Sequence, residues 1–290
     1  MPRARIRPEQ LDLRVFRGTT AVVRGLLTPD DLRGPNWQRL FPDVYADARL
    51  EVTHTLRTRV AARVLLPHAV VSGVSAAVWW GLDDLAAAPD DVELTVPPGT
   101  ARGATPGVLV RRRVLPDRCV RPVAGVRATA PETTAVELAA RLPLDDGVVL
   151  LDRFVAAKLS TLTTLRMEAD EGSGRGCRRA RQAAALADGL AASPQETRLR
   201  LLLHQSPLPI PVAQHRVAAA GRFVARLDFA WPARRVGLEY EGAWHTTRIA
   251  EDRRRIEALQ AAGWRVLFVT AVDLHFPAGL LGRIAAALAE

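Results

Sequence analysis

The sequence has only one lysine, Lys158, so arginine provides almost all of its positive charge. Lysine and arginine together number 40 against 31 acidic residues, which gives a formal net charge of +9 and a pI near 11.0. A balance this basic favours a polyanionic partner, most often nucleic acid. A solvated basic surface, or a general bias of composition toward arginine, would give the same numbers. Composition therefore suggests a nucleic-acid partner without establishing one.

Cysteine is scarce, and no long apolar run is uninterrupted. Cys119 and Cys177 form no CxxC pair, so the sequence offers neither a disulfide framework nor a structural zinc site. Reduced thiols in a cytoplasmic protein are the simplest interpretation, and the charged N-terminus predicts no signal peptide. Residues 64–82 contain no charged residue, but Pro67 and Gly73 interrupt them. They predict a short strand and a buried helix, with no membrane span.

Several signature motifs of enzymes are also absent. The sequence contains no P-loop, GxGxxG, HExxH or GxSxG motif. A P-loop or GxGxxG would cradle phosphates, HExxH would bind zinc, and GxSxG would present a nucleophilic serine. The sequence therefore predicts none of these common classes: nucleotide-binding proteins, metalloproteases or serine hydrolases.

The order of the predicted elements divides the chain into three parts. Residues 1–66 alternate short helices with turns, and a predicted hairpin at 37–46 carries Arg39, which suggests a winged-helix-like DNA-binding module. Residues 67–190 mix strands and helices as an α+β module. Residues 191–290 predict a helix, a three-stranded meander, a helix, a strand and a helix. That order is typical of an α/β sandwich with a mixed sheet.

Three carboxylates interrupt the apolar strands of the last part. Glu239 and Glu241 are two residues apart in a predicted strand and therefore share a face. Asp228 lies on the preceding strand, and the turn at Pro232 can bring its carboxylate alongside Glu239. Converging oxygen ligands suit Mg²⁺, which can activate a water molecule and stabilise charge on a phosphate. The pattern therefore predicts a metal site made of Asp228, Glu239 and Glu241.

The C-terminal third resembles a widespread bacterial domain of unknown function. The segments SPQETRLRLLL, RLDFAWPARRVGLEYEGAWH and DRRRIEALQAAGWRVLFVTAVDL occur in the same order as in that domain, which is related to the very-short-patch-repair (Vsr) endonucleases and the PD-(D/E)xK nuclease superfamily. The resemblance implies a restriction-endonuclease-like α/β sandwich that hydrolyses phosphodiester bonds with Mg²⁺ (or Mn²⁺). It also implies the catalytic residues, which match the acids and the histidine of the motif: Asp228, Glu239, Glu241, Glu196 and His245.

The lysine of the PD-(D/E)xK motif is absent, because Glu241 stands at its position. Arginine can stabilise charge on a phosphate but cannot act as a base. The missing positive charge could come from His245, Arg248 or Arg255. Two interpretations stay open: a metal-dependent DNA endonuclease, or an inactive nuclease fold whose acids pair with arginines.

The N-terminal two-thirds of the sequence resembles antitoxins of abortive-infection (type IV toxin–antitoxin) systems of actinobacteria. The segments FRGTTAVVRGLLTPDDLRGPNWQRLFPDVYA and VVSGVSAAVWWGL carry this resemblance, which implies DNA binding by a winged helix. The competing functions are thus an endonuclease, a non-catalytic transcriptional regulator and a protein–protein adaptor, and each of them allows a homo-oligomer. The predicted DNA contacts are arginines: Arg39, Arg248 and Arg255.

Overall fold

The structure is a computed structural model with a mixed α/β fold. It describes residues 7–87, 90–100, 105–219, 221–241 and 249–290, with only the backbone for 249–252. The chain forms two compact units, Met1–Leu138 and Ala139–Glu290, and its described strands form three β-sheets. The mixed α/β class predicted from the sequence is confirmed. The finer division into three domains stays a prediction.

The first unit begins with a small antiparallel sheet and one short helix. The strands lie in the order β1–β3–β2, with β1 (Val15–Arg17), β2 (Trp37–Phe41), β3 (Val44–Asp47) and, after β1, the helix α1 (Gly18–Val23). Leu11, Ala21, Leu27 and Trp37 form its apolar core. β2 and β3 are the hairpin that the sequence predicted around Arg39.

The rest of the first unit surrounds a five-stranded sheet. Its elements are α2 (His54–Val60), a π-helical turn (Ala61–Leu65), β4 (Val70–Val71), α3 (Gly73–Trp79), β5 (Val92–Val96), β6 (Val108–Arg112), β7 (Val120–Val123), β8 (Val126–Thr129) and α4 (Pro131–Ala139). The strands lie in the order β6–β5–β4–β8–β7. The uncharged segment forms the predicted short strand and buried helix, β4 and α3. Among the described residues, none of the helices combines the length and apolar character that crossing a membrane requires.

The second unit consists of helices followed by a mixed four-stranded sheet. Its elements are α5 (Leu144–Ala156), α6 (Leu162–Glu171), α7 (Cys177–Leu186), α8 (Pro194–Gln205), β9 (Val212–Ala219), β10 (Arg222–Trp231), β11 (Val236–Tyr240), α9 (Ile249–Ala261), β12 (Arg265–Val269), α10 (Ala271–His275) and α11 (Pro277–Ala289). β9, β10 and β11 form an antiparallel meander, and β12 is parallel to β11. From α8 onward this is the predicted order of elements, with α10 added.

Two apolar cores hold helices against this sheet. Leu199 of α8 and Ile284 of α11 pack in one core with Leu238 of the sheet. Leu259 of α9 packs in a separate core with Leu227. Because neighbouring residues of a strand point to opposite faces, such a sheet can bury apolar side chains against helices on both sides. Helices that pack against a mixed sheet are thus observed in this unit, whereas the restriction-endonuclease-like sandwich stays a prediction.

A buried polar network connects α5 to the start of α8. The Asp152 carboxylate accepts hydrogen bonds from the backbone N–H groups of Asp188 and Gly189, at 3.0 and 2.8 Å. It also accepts hydrogen bonds from the Thr197 hydroxyl and from Arg200 Nη2, both at 2.9 Å. Asp152 and Arg200 are 2% and 4% exposed, so this ion pair is shielded from water. The network fixes the orientation of α8, the helix that carries Glu196.

Candidate functional site

Glu196 is held at the first turn of α8. The hydroxyl of Ser193, the residue before the helix, accepts a hydrogen bond from the Glu196 N–H at 3.2 Å. The Glu196 carboxylate in turn accepts hydrogen bonds from the Ser193 hydroxyl and the Ala192 N–H, both at 2.9 Å. These hydrogen bonds provide acceptors for backbone N–H groups that would otherwise be unpaired at the start of a helix. Glu196 is buried, and helix capping already engages its carboxylate.

Asp228 and Glu239 lie at neighbouring positions of β10 and β11. Phe229 is paired with Leu238 in the antiparallel register, so the next positions along the two strands are Asp228 and Glu239. The backbone N–H of Tyr240 donates to Asp228 Oδ2 at 2.9 Å. The turn between the strands therefore brings the two acids to one place, in the way the sequence suggested.

Gln214 of β9 is a member of this cluster that the sequence analysis missed. Its side-chain amide donates to Glu196 Oε2 at 3.1 Å and also hydrogen-bonds the Asp228 carboxylate. The Gln214 backbone has a φ of 52°, an unusual conformation for a residue in a strand. A glutamine in an otherwise apolar and basic strand is a weak signal, which a search restricted to charged residues cannot detect.

Burial raises the pKa of the two carboxyl groups that Gln214 connects. The pKa of Asp228 is raised by desolvation, against the opposing effects of the Tyr240 N–H and of the Arg255 and Arg226 charges. The pKa of Glu196 is raised by desolvation and by the negative charge of Asp228. Two carboxyls that share a buried site hold protons more tightly, a feature found at many functional sites.

Glu239 forms an ion pair with Arg255 of α9. Arg255 Nη1 donates to Glu239 Oε1 at 2.7 Å, and Arg255 Nη2 donates to Glu239 Oε2. Glu239 is 6% exposed, so this two-point ion pair is partly shielded from water. Arg255, which the sequence suggested as a DNA contact or a catalytic cation, uses both terminal nitrogens within the fold.

Of the remaining predicted site residues, the structure describes Glu241 and Arg39. Glu241 follows the end of β11 and is exposed, while its N–H donates to the Val269 carbonyl. His245 and Arg248 lie outside the described residues. Arg39 is exposed on β2, in the first unit.

The acids of this cluster do not fit a bound Mg²⁺ in the arrangement described. Among the described residues, no group of three or more His, Cys, Asp or Glu side chains is placed to hold a metal ion. The oxygens of Glu196, Asp228 and Glu239 instead face N–H and O–H donors of the protein. A cation would have to displace these donors. The Mg²⁺ (or Mn²⁺) site stays a prediction from the sequence.

A second candidate site, in the first unit, is a buried serine–histidine pair. His54 Nε2 lies 2.8 Å from Ser75 Oγ, and His54 Nδ1 lies 3.2 Å from the Ala87 carbonyl oxygen. Ser75 also accepts a hydrogen bond from the Glu93 N–H and is fully buried. Burial lowers the pKa of His54. A nucleophilic serine needs access to its substrate, so this pair is structural.

Comparison with known proteins gives matches to both a domain family and whole proteins. Residues 69–189 match the family model described as the AbiEi antitoxin C-terminal domain. Over 197 residues the chain is 34% identical to the uncharacterized proteins Rv2248 and MT2308 of two Mycobacterium tuberculosis strains, which covers 65% of this chain and 70% of each relative. The crystal structure of the Rv2827c protein from M. tuberculosis matches with 19% identity and a TM-score of 0.38, covering 71% of this chain and 78% of that one.

Proposed function

Because the chain belongs to one family with the uncharacterized M. tuberculosis protein Rv2248 and its residues 69–189 match the AbiEi antitoxin C-terminal domain, we propose that it is a non-catalytic, antitoxin-like transcriptional regulator that binds DNA. This function is one of the alternatives that the sequence left open. A regulator of this kind is consistent with the predicted cytoplasmic location. In it, the second unit would be an inactive form of the nuclease-like fold.

The observation that carries the choice is the two-point ion pair between Arg255 and Glu239. In a metal-dependent nuclease, an acid in the position of Glu239 must offer an oxygen to the cation. Here both oxygens accept hydrogen bonds from a guanidinium, which is always charged and cannot act as a base. The motif lysine is also replaced by Glu241. The acids thus have the partners expected of a structural cluster.

An endonuclease is the second candidate function, and one specific observation favours it. The raised pKa values of Asp228 and Glu196 mean that the fold holds two carboxyls where their charged forms are disfavoured. Natural proteins tolerate such arrangements most often at functional sites. This candidate requires a cation to displace Arg255 from Glu239.

DNA binding is assigned to the small sheet of the first unit. Arg39 is exposed on the β2–β3 hairpin, and its Nε donates only to the nearby Phe41 carbonyl at 3.4 Å. Arg14 and Arg24, which flank β1 and α1, are also exposed and form no ion pair with any described residue. A hairpin with exposed arginines beside a helix can contact the phosphates next to a groove.

Replacing Arg39 with glutamine should weaken binding to duplex DNA and reduce its dependence on salt. Losing one phosphate contact is expected to lower the slope of log affinity against log salt by about one. Fluorescence anisotropy with a labelled duplex over a salt series measures both quantities.

The matched control is Arg127→Gln, an exposed arginine on β8 in the same unit that forms no ion pair with the described residues. It removes the same charge but should leave the salt slope unchanged. Equal effects of the two variants would reject the hairpin as the DNA contact.

A further inference from the structure

An arginine-rich surface extends beyond the acid cluster along β9 and β10. The surface, here called the ribbon face, comprises Arg216 of β9 and Arg222, Phe223 and Arg226 of β10. All four side chains are exposed, and Phe223 is 58% exposed. The proposed DNA-binding hairpin does not include this surface, which belongs to the other unit.

Two of these arginines lie opposite each other on the antiparallel strand pair β9–β10, here called the ribbon. Arg216 and Arg226 are registered partners in the antiparallel pairing of β9 with β10. Like charges at directly opposite positions destabilise a sheet. Neither side chain forms a salt bridge with any residue of the described part of the chain. The Arg226 charge opposes the rise in the pKa of Asp228 and Glu196. The ribbon thus keeps a repulsive pair that folding alone does not require.

Phe223 supports one of the arginines instead of packing in the core. Its registered partner is Ala218, two residues from Arg216 on the same side of β9. The Arg216 guanidinium lies over the Phe223 ring, 4.7 Å from its centre. Stacking on a ring restricts the guanidinium while leaving its N–H donors available to phosphate oxygens.

The apolar residues of the same ribbon pack elsewhere. Val217 and Ala225, which are paired with each other, are buried in the core that contains Leu259 of α9. Strand alternation therefore separates a packed side of the ribbon from the side that carries Arg216 and Arg226. Exposed arginines with an exposed aromatic ring are typical of surfaces that bind nucleic acid.

We propose that the ribbon face is a second DNA-binding surface, which contacts the phosphates of duplex DNA through Arg216, Arg222 and Arg226. The proposal rests on the proposed DNA-binding function and adds a contact in the second unit. DNA phosphates bound between the Arg216 and Arg226 guanidinium groups would offset the repulsion between these two positive charges. Such contacts contribute affinity without reading the base sequence.

The test is duplex binding by the full-length double variant Arg216→Gln/Arg222→Gln, which leaves Arg226 beside the acids. With a fluorescein-labelled duplex of arbitrary sequence, affinity near physiological salt should fall about tenfold, and the salt slope should fall by about two. The melting temperature should not decrease, because the substitution relieves the repulsion between Arg216 and Arg226.

The matched control is Arg175→Gln/Arg178→Gln, which removes two exposed arginines of the same unit, one just before α7 and one in its first turn. It should leave the salt slope unchanged. Wild-type affinity and slope in the ribbon variant would overturn the proposal, even if Arg39→Gln still weakens binding. A wild-type protein that binds no duplex would overturn both the ribbon face and the proposed function. Displacement of the duplex by polyglutamate as readily as by unlabelled DNA would overturn the nucleic-acid assignment in favour of an acidic protein partner.

Discussion

Replacing Asp152 with alanine is expected to lower the free energy of unfolding by about 3–5 kcal/mol, the range for breaking a buried ion pair from one side. The substitution removes the more buried of the two carboxylates that pair with Arg200, which is 4% exposed, and leaves only the ion pair with Asp188 at 3.1 Å. It also removes the acceptor for two backbone N–H groups and for the Thr197 hydroxyl. Urea denaturation of the variant and the wild type measures the difference.

The chain offers a close control for this experiment. Asp146 lies on the same helix, α5, and pairs with Arg198 of α8 at 2.8 Å. Its side chain is 44% exposed and that of Arg198 is 39% exposed. Water and salt screen such a pair, so Asp146→Ala should cost less than about 1 kcal/mol. Comparable losses in the two variants would contradict the role given to the buried network.

Replacing Arg255 with alanine should also destabilise the second unit, by about 2–3 kcal/mol. The reason is that Glu239, whose side chain is 8% exposed, loses its guanidinium partner. The expected loss is smaller than for Asp152 because the Arg255 side chain is 37% exposed. Thermal and urea unfolding measure the change.

A double variant distinguishes a structural role of the Arg255–Glu239 ion pair from a catalytic role. If Arg255 acts only by neutralising Glu239, then Arg255→Ala combined with Glu239→Gln should recover much of the stability, because no buried charge is left unpaired. An Arg255→Ala protein that keeps its stability but loses metal-dependent DNA cleavage would instead identify Arg255 as a catalytic cation, and would favour the endonuclease.

The sequence was most informative where the alternation of apolar and polar residues and the positions of turns determine the structure. The strands β9 to β12 and the helices α8, α9 and α11 occur in the order that the periodicity of residues 191–290 predicted. The approach of Asp228 to Glu239 also follows from local pattern, since a short turn at Pro232 fixes the register of the two strands.

The partners of the acids could not be predicted, because they depend on tertiary packing. Whether Arg255 reaches Glu239 is decided by the rotation of α9 over the sheet, and helical periodicity alone does not specify that rotation. Gln214 approaches Glu196 and Asp228 from a backbone conformation that few residues adopt within a strand. The sequence therefore located the acids and left open whether they hold a metal or arginine.

A regulator with an inert nuclease-like unit must bind DNA without cutting it, and one experiment measures both properties. Wild-type protein is incubated with supercoiled plasmid, with Mg²⁺ or Mn²⁺ and in parallel without metal, at a salt concentration where gel retardation shows binding. If the second unit is inert, the protein retards the plasmid, and the plasmid is still fully supercoiled once the protein is removed. Metal-dependent nicking by the wild type that Asp228→Asn abolishes, without loss of folding, would contradict this prediction.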